Sequence, residues 1–179
     1  MTGPDRKPVS SAAATTPAPS APVVLPKTSE SSQLLKIRHS MSHVMAMAVQ
    51  QLFPKARVTI GPWTESGFYY DFDNPDPFTE ADLKAIKKGM IKIINKKAPL
   101  ERVEVTRAEA ETKIKAQNEP YKLEILEGLQ EPITLYTLGD EWWDLCAGPH
   151  VDHTGQLNAK AFELESVAGA YWRGDETKA

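Results

Sequence analysis

The chain has 179 residues, of which 41% are hydrophobic and 25% are charged, and its formal net charge at pH 7 is -3. These values are ordinary for a globular protein of one domain with a tail. No run approaches the roughly 18 apolar residues that a transmembrane helix needs, and the acidic balance argues against a protein that coats nucleic acid through bulk positive charge. A single cysteine cannot form an internal disulfide, which fits a reducing compartment, and we expect a cytoplasmic location.

The first 33 residues are expected to be a disordered extension. Prolines are interleaved there with Ser, Ala and Thr, and few large apolar side chains are available to offset the ordering entropy. The segment lacks the continuous apolar core of a secretory signal. It is Ser-rich and poor in acids, as transit peptides are, so organelle targeting is the alternative to a plain flexible extension.

A helix is predicted from Ser32 to a stop at Pro54. Its expected core stripe consists of Leu34, Ile37, Met41, Val44, Met45, Ala48 and Leu52. His39 and His43 lie roughly 140 to 180° away from the centre of this stripe. Their i, i+4 spacing puts both imidazoles on one face, as metal ligands or a catalytic pair require. Two histidines with no role are the alternative interpretation of this pair alone.

Two strands are predicted next, over residues 57–60 and 67–72, with turn residues between them. Tyr69 and Tyr70 are adjacent, so they point to opposite faces of a strand and cannot both be core. One phenol is therefore expected to reach a polar cleft or solvent. An amphipathic tyrosine at a sheet edge explains the pattern equally well.

Thr79 is predicted to cap a further helix, with Asp82 three residues on in a near capping box. Apolar residues occupy one face of this helix. Four lysines at i+4 spacing occupy another face: Lys84, Lys88, Lys92 and Lys96. A solvated charged face is the ordinary interpretation, and a stripe that contacts RNA phosphates is the more specific one.

The remaining elements complete an α+β fold with a largely antiparallel sheet. A strand over residues 100–105 precedes a helix capped by Thr106, and Asn118-Glu-Pro opens another short helix. Lys122 on that helix is unremarkable by pattern, since most helical lysines are solvated. The strands expected after it cover residues 133–138, 141–145, 161–167 and 170–173.

The run from Asp144 to His150, DLCAGPH, carries the only cysteine. Cys146 and His150 are four residues apart and repeat the spacing of the upstream histidine pair. The turn at Gly148-Pro149 can swing His150 back toward Cys146. If the fold brings the two pairs together, two or three imidazoles, a thiol and a carboxylate would meet, which is a site able to bind a metal or to run hydrolysis.

Five runs in order resemble a known family, namely HSMSH, IGPWTESGFYYDF, EPYKLEIL, DLCAGPHV and VAGAYWRGD. They are similar to the N-terminal editing domain of threonyl-tRNA synthetase and to its relative in alanyl-tRNA synthetase. The resemblance covers about residues 34–176. It implies that residues 34–179 adopt the editing-domain fold and end where the synthetase catalytic domain would begin, without the small ubiquitin-like domain that commonly precedes it.

The resemblance implies an enzyme that hydrolyses seryl-tRNA specific for threonine. A site built for threonine cannot strongly reject serine, because the missing methyl group is worth only about 1 to 3 kcal/mol. A second pocket must therefore admit serine, exclude threonine by its methyl group and hydrolyse the ester to the terminal ribose by water attack. The implied partners are this tRNA and the catalytic domain of the full-length ligase.

The resemblance also implies roles for individual residues. His39 and Lys122 would position and activate the attacking water or protonate the leaving ribose hydroxyl. Asp144 and His43 would hold the serine amino group and hydroxyl. The rest of the pocket would be formed by Cys146 and His150 at its floor, with Tyr70 beside it.

No obligatory cofactor is expected, because the Lys122 cation and Asp144 would make the site less dependent on zinc. A zinc site formed by His39, His43, Cys146 and His150 is the alternative, and these positions resemble metal ligands of the alanine-specific relatives. A covalent Cys146 mechanism is expected less than water attack. Two other functions stay open, a free-standing deacylase that acts in trans and a zinc-stabilised RNA-binding module without turnover.

Overall fold

The computed structural model describes residues 33–170. The predicted extension over residues 1–33 and the predicted strand over residues 170–173 therefore lie almost wholly outside the described residues. The helices are α1 Gln33–Leu52, α2 Glu80–Asn95, α3 Arg107–Gln117 and α4 Pro120–Gly128, and the strands are β1 Arg57–Val58, β2 Phe72–Asp73, β3 Leu100–Val105, β4 Ile133–Leu138 and β5 Trp142–Leu145. A short 3-10 helix spans Thr154–Gln156. The order confirms the predicted α+β fold with antiparallel pairing.

Helix α1 is buried on two faces rather than along one stripe. Met41, Val44 and Ala48 belong to the main core as predicted, and α2 packs against this helix. Leu34 and Leu52, however, are 51% and 45% exposed, because they lie in the first and last turns, where the helix runs beyond its neighbours. The segment after β5 covers a second face, and it buries the histidines.

Strands β3, β4 and β5 form an antiparallel sheet in that order. Trp142 belongs to the main core on one face, whereas Trp143 packs against a second core cluster on the other. The two indoles thus alternate across the sheet as adjacent strand residues must. Strands β1 and β2 also pair, but each has only two residues, so the predicted hairpin is correct in pairing and too long in extent.

The strand predicted over residues 161–167 is wrong. That segment has no regular secondary structure and lies against the core and α2 instead of a sheet edge. Phe162 and Leu164 pack against the main core, and Glu163 between them pairs with Lys87 of α2. The alternation of apolar and polar residues here therefore belongs to a segment that packs its apolar side chains on the core without pairing with another strand.

Local capping signals fix the starts of α2 and α3, and the end of α3 sets the position of α4. The capping box predicted at Thr79 is present, with the Thr79 backbone N–H donating to Asp82 at 2.8 Å. Thr106 caps α3 in the same way. Asn118 then ends α3 in the left-handed conformation, with φ of 54°, which turns the chain into α4 within two residues. This sharp turn aims the first turn of α4 at α1 and β5.

Within residues 33–170, none of the helices has both the length and the apolar character that crossing a membrane would require.

Candidate active site

The fold brings together seven of the residues singled out in the sequence. They come from α1, the segment before β2, α4, β5 and the segment after β5, and all of them are buried. The set comprises His39, His43, Tyr70, Lys122, Asp144, Cys146 and His150. Direct contacts link them into one cluster, which we call the buried polar cluster.

Asp144 lies at one end of this cluster and has three polar neighbours. The Tyr70 hydroxyl donates to its Oδ2 at 2.5 Å, and the Lys122 side-chain nitrogen donates to its Oδ1. Nε2 of His43 lies 3.6 Å from Oδ2. Lys122 is 1% exposed, so its helical pattern, which predicts a solvated lysine, is overridden by a buried carboxylate partner.

A thiol and two imidazoles form the other end of the cluster. Sγ of Cys146 lies 3.3 Å from Nε2 of His150 and 3.5 Å from Nε2 of His39. The two imidazole rings stack with centroids 4.0 Å apart. Burial raises the pKa of the Cys146 thiol strongly, so the thiol form is favoured and a thiolate nucleophile is disfavoured.

The protonation of His39 follows from its backbone contact. Its Nδ1 lies 3.1 Å from the carbonyl oxygen of Pro149, which can only accept, so Nδ1 carries the proton. Burial lowers the pKa of His39 to about 4, although the Pro149 contact and Asp144 oppose this shift. Neutral His39 therefore presents the lone pair of Nε2 to the interior of the cluster, where it can accept a proton.

His43 and His150 are held neutral by their surroundings. Burial lowers the pKa of His43 well below its usual value, and protonation is opposed further by the neighbouring His39 imidazole and by the Lys122 cation. Burial also lowers the pKa of His150, with the two other imidazoles contributing. Burial raises the pKa of Tyr70 well above its usual value, and Asp144 adds to that shift, so the phenol stays protonated and donates.

Two glycines make room for tyrosines of the site. A Cβ at Gly61 would lie 1.9 Å from Cδ2 of Tyr70, so only a glycine lets that ring lie flat against the backbone. At Gly148, φ is +77° and a Cβ would lie 2.5 Å from the hydroxyl of Tyr136. Tyr136 in turn packs edge-on against His150, with ring centroids 4.4 Å apart.

Four side chains of the cluster offer nitrogen or sulfur atoms that lie close enough together to be considered as ligands of one metal ion: His39, His43, Cys146 and His150. One donor atom from each lies within 4.8 Å of all the others. Imidazole nitrogen and thiolate are zinc ligands, and a tetrahedral site with the usual bond lengths would place them about 3.5 Å apart. Only the more widely separated donors would have to move closer around an ion, by up to about 1 Å. Against this fit, the Lys122 cation that lowers the pKa of His43 would also repel a dication.

The predicted lysine stripe is separate from the buried polar cluster. Lys84, Lys88 and Lys92 are exposed on α2, whose opposite face carries its buried apolar residues, and Lys96 is exposed at the C-cap of this helix. Lys96 forms an ion pair with Glu141 at 2.8 Å. The stripe lines a surface and does not enter the cluster.

Three residues that the sequence analysis did not single out contact the cluster or its neighbours. The Ser40 hydroxyl lies 3.1 Å from Nδ1 of His150 and accepts from the Val151 N–H. Gln50 accepts from the indole N–H of Trp142 at 2.7 Å, and Glu119 accepts from Gln50. The spacing in the sequence could have pointed to Gln50 and Glu119, because Gln50 lies seven residues after His43 and Glu119 lies three residues before Lys122.

Comparisons with known proteins bear on this site. Residues 133–179 match the family described as "Threonyl and Alanyl tRNA synthetase second additional domain". Over all 179 residues, the chain is 97% identical to a threonine–tRNA ligase of Parasynechococcus marenigrum (strain WH8102) and 91% identical to one of Synechococcus sp. (strain CC9605). It is 70% identical over 159 residues to a threonine–tRNA ligase of Thermosynechococcus vestitus (strain NIES-2133 / IAM M-273 / BP-1), with 89% of the chain covered.

These matches confirm the predicted resemblance to threonyl-tRNA synthetase and to the domain that it shares with alanyl-tRNA synthetase. The chain spans 29% of the length of the first two relatives and 26% of the third.

Proposed function

We propose that this chain, a close relative of the threonine–tRNA ligases along its whole length, is an editing domain that removes serine from tRNA specific for threonine. The reaction is hydrolysis of the ester between the seryl group and the terminal ribose, with water as the nucleophile. The observation that carries the proposal is the Lys122–Asp144 ion pair buried beside a neutral His39. Buried charges of this kind are retained at functional sites more readily than for stability alone.

His39 supplies the general base in this proposal. Its Nδ1–H is engaged by Pro149, so the Nε2 lone pair accepts the proton of the attacking water. Lys122 lies close to His43 and Asp144 and supplies the positive charge that positions the water or stabilises the leaving ribose oxygen. A single water activated in this way suffices, because an aminoacyl ester is already an activated acyl group.

The other cluster residues form the pocket for the amino acid. Asp144 and His43 hold the amino group and hydroxyl of serine, with Tyr70 fixing the Asp144 carboxylate through Oδ2. Cys146 acts as a protonated pocket wall rather than as a nucleophile, which its raised pKa favours. His150 completes the floor. Threonine is excluded by its additional methyl group, a discrimination by size in which close packing is decisive.

Two further predictions belong to this proposal. The exposed lysines of α2 contact phosphates of the tRNA, and the partner that presents the tRNA end is the catalytic domain of a full-length ligase in the cytoplasm. A deacylase that acts in trans would use the same pocket without that partner.

One observation favours a second candidate function. The donors of His39, His43, Cys146 and His150 lie close enough together to converge on a zinc ion. A zinc-stabilised RNA-binding module without turnover would use the same four side chains, and it would unfold when a chelator removes the ion.

Single-turnover deacylation distinguishes these functions. The chain is mixed in excess with seryl-tRNA specific for threonine, or with the threonyl ester, with and without a chelator. We expect rapid loss of the serine ester only, unchanged by chelator and abolished by Lys122→Ala. Loss of activity on addition of chelator would show that the reaction requires a bound metal ion. If neither ester is cleaved even when the ligase catalytic domain is supplied, the deacylase proposal is wrong.

A further inference from the structure

Helices α1 and α4 and strand β5 each contribute residues to the buried polar cluster. Each of them also carries a further polar residue beside the cluster, namely Gln50, Glu119 and Trp142. On α1, Gln50 follows His39 and His43 at a rotation of within about 40° around the helix axis, so the three share one face. On β5, Trp142 and Asp144 are two residues apart and point to the same side of the sheet. On α4, Glu119 caps the helix one turn before Lys122.

The second residues bond to one another. Nε2 of Gln50 donates to Oε1 of Glu119 at 2.6 Å, and the indole N–H of Trp142 donates to Oε1 of Gln50 at 2.7 Å. Oε2 of Glu119 accepts from the backbone N–H of Val58 at 3.2 Å. The chain of bonds thus runs from β5 through α1 to α4 and β1.

The orientation of the Gln50 amide is fixed by its partners. The indole N–H of Trp142 can only donate, so it requires the amide oxygen. The carbonyl of Ala56, 3.1 Å away, can only accept, so it requires the amide nitrogen, which also serves Glu119. Both N–H groups and the carbonyl oxygen of this amide are bonded, and a flipped amide would not satisfy the same groups.

The ring of Trp142 brings this chain of bonds into contact with the proposed catalytic groups. The ring of Trp142 contacts His43 edge-on, with centroids 5.3 Å apart, and the Lys122 nitrogen lies 5.7 Å from the indole centroid. A shift of the indole therefore moves both groups relative to Asp144.

We propose that Gln50, Glu119 and Trp142 are positioning residues that set the placement of Lys122 and His43 for the deacylation reaction. This inference rests on the proposed function for its kinetic consequence. Misplacement of a catalytic group by about 1 Å costs on the order of a hundredfold in rate. Loss of these hydrogen bonds is therefore expected to lower the rate at saturation and to leave tRNA binding nearly unchanged, because Glu119 and Trp142 are buried and Gln50 is only partly exposed.

Exchanging the amide and the carboxylate between positions 50 and 119 tests the direct hydrogen bond between Gln50 and Glu119. The double variant, Gln50→Glu with Glu119→Gln, is called the charge swap. Gln50→Glu places two carboxylates face to face, and we expect the single-turnover rate at saturating enzyme to fall tenfold or more. Adding Glu119→Gln restores one donor and one carboxylate between the helices, so the double variant should recover most of the lost rate. The half-saturating enzyme concentration should change less than twofold in both variants.

A matched control separates positioning from general destabilisation. Thr154→Val removes a buried hydroxyl that donates to the carbonyls of Ile93 and Ile94, at a site outside the bonded chain. We expect it to lower stability without lowering the rate. If Gln50→Glu behaves like this control, or if the charge swap is as slow as the worse single variant, the positioning role is overturned.

A spectroscopic reading keeps this inference separate from the proposed function. The indole N–H resonance of Trp142, assigned by its loss in Trp142→Phe, and the ring resonances of His43 are followed in wild type and variants. The Trp142 and His43 resonances should both shift in Gln50→Glu and return toward their wild-type positions in the charge swap. A wild type that stays inactive even when the ligase catalytic domain is supplied would overturn the deacylase proposal alone. Resonances of His43 that are the same in wild type and in Gln50→Glu would overturn the positioning inference.

Discussion

The side-chain nitrogen of Lys122 donates to Oδ1 of Asp144 where the two side chains are 1% and 8% exposed. The buried charge of Lys122 is therefore balanced mainly by that of Asp144. Removing either side chain alone leaves the other one buried and unpaired. The pair joins α4 to β5, so it has consequences for both stability and chemistry.

Removing one partner should be costly, and removing both should not. We expect Lys122→Met to lower the free energy of unfolding by about 3 to 5 kcal/mol, because Asp144 is left buried and unpaired. The double variant with Asp144→Asn should regain most of that stability in urea unfolding, since the asparagine still accepts from Tyr70. Both variants should lose at least a hundredfold in deacylation rate. A double variant whose losses simply add would contradict this account of the pair.

Gly61 should be irreplaceable for the position of Tyr70. In Gly61→Ala the new methyl group overlaps the Tyr70 ring, which must move away from Asp144. We expect a destabilisation of about 1 to 3 kcal/mol and a fall in deacylation rate close to that of Tyr70→Phe. Gly67→Ala is the matched control, because its Cβ would meet no atom within 4 Å. Equal rates in the two alanine variants would show that the ring position is unimportant.

Most of the fold follows from local sequence signals. Thr79 with Asp82 and Thr106 with Glu109 form capping boxes that fix the starts of α2 and α3, and the β4–β5 pairing follows from alternation around a tight turn. The same alternation predicts a strand over residues 161–167, where the chain packs on α2 instead. Periodicity reports which side chains are buried and does not report what buries them.

The site was predictable to a different degree. His39, His43, Cys146 and His150 are rare residue types at repeated spacing, so they stand out without a structure. Lys122 does not, because its burial depends on a carboxylate 22 positions away and on the indoles beside it. Such a pairing across elements has no signature in the local pattern, and only the resemblance to a family points to it.

The lysine stripe of α2 gives a test of tRNA contact. If Lys84, Lys88 and Lys92 meet phosphates, replacing all three by alanine should weaken tRNA binding and reduce the slope of log affinity against log salt by about 2 units, at roughly 0.7 per phosphate contact. Replacing exposed Lys113 and Lys115 of α3, which removes two positive charges elsewhere on the surface, is the control. An unchanged salt slope in the stripe variant would leave the stripe as a solvated face.

The stability of the metal-free chain should fall on acidification because the buried histidines resist protonation. Burial lowers the pKa of His39 from 6.5 to about 4 in the folded protein. Between these values the unfolded chain binds the proton and the folded chain does not, so the contribution of His39 to the free energy of unfolding rises with pH up to about 6.5 and is constant above it. The contribution of His39 across this window is on the order of 3 kcal/mol, and the lowered pKa values of His43 and His150 act in the same direction.

His39→Asn isolates one histidine in that dependence. The asparagine amide can still donate to the Pro149 carbonyl, which His39 does through Nδ1, but it does not titrate. Urea unfolding at pH 7 and pH 5 should therefore show a smaller loss of stability on acidification in the variant than in wild type, by on the order of 2 kcal/mol. If both proteins lose the same stability between these pH values, the pKa of His39 in the folded protein is not lowered by burial.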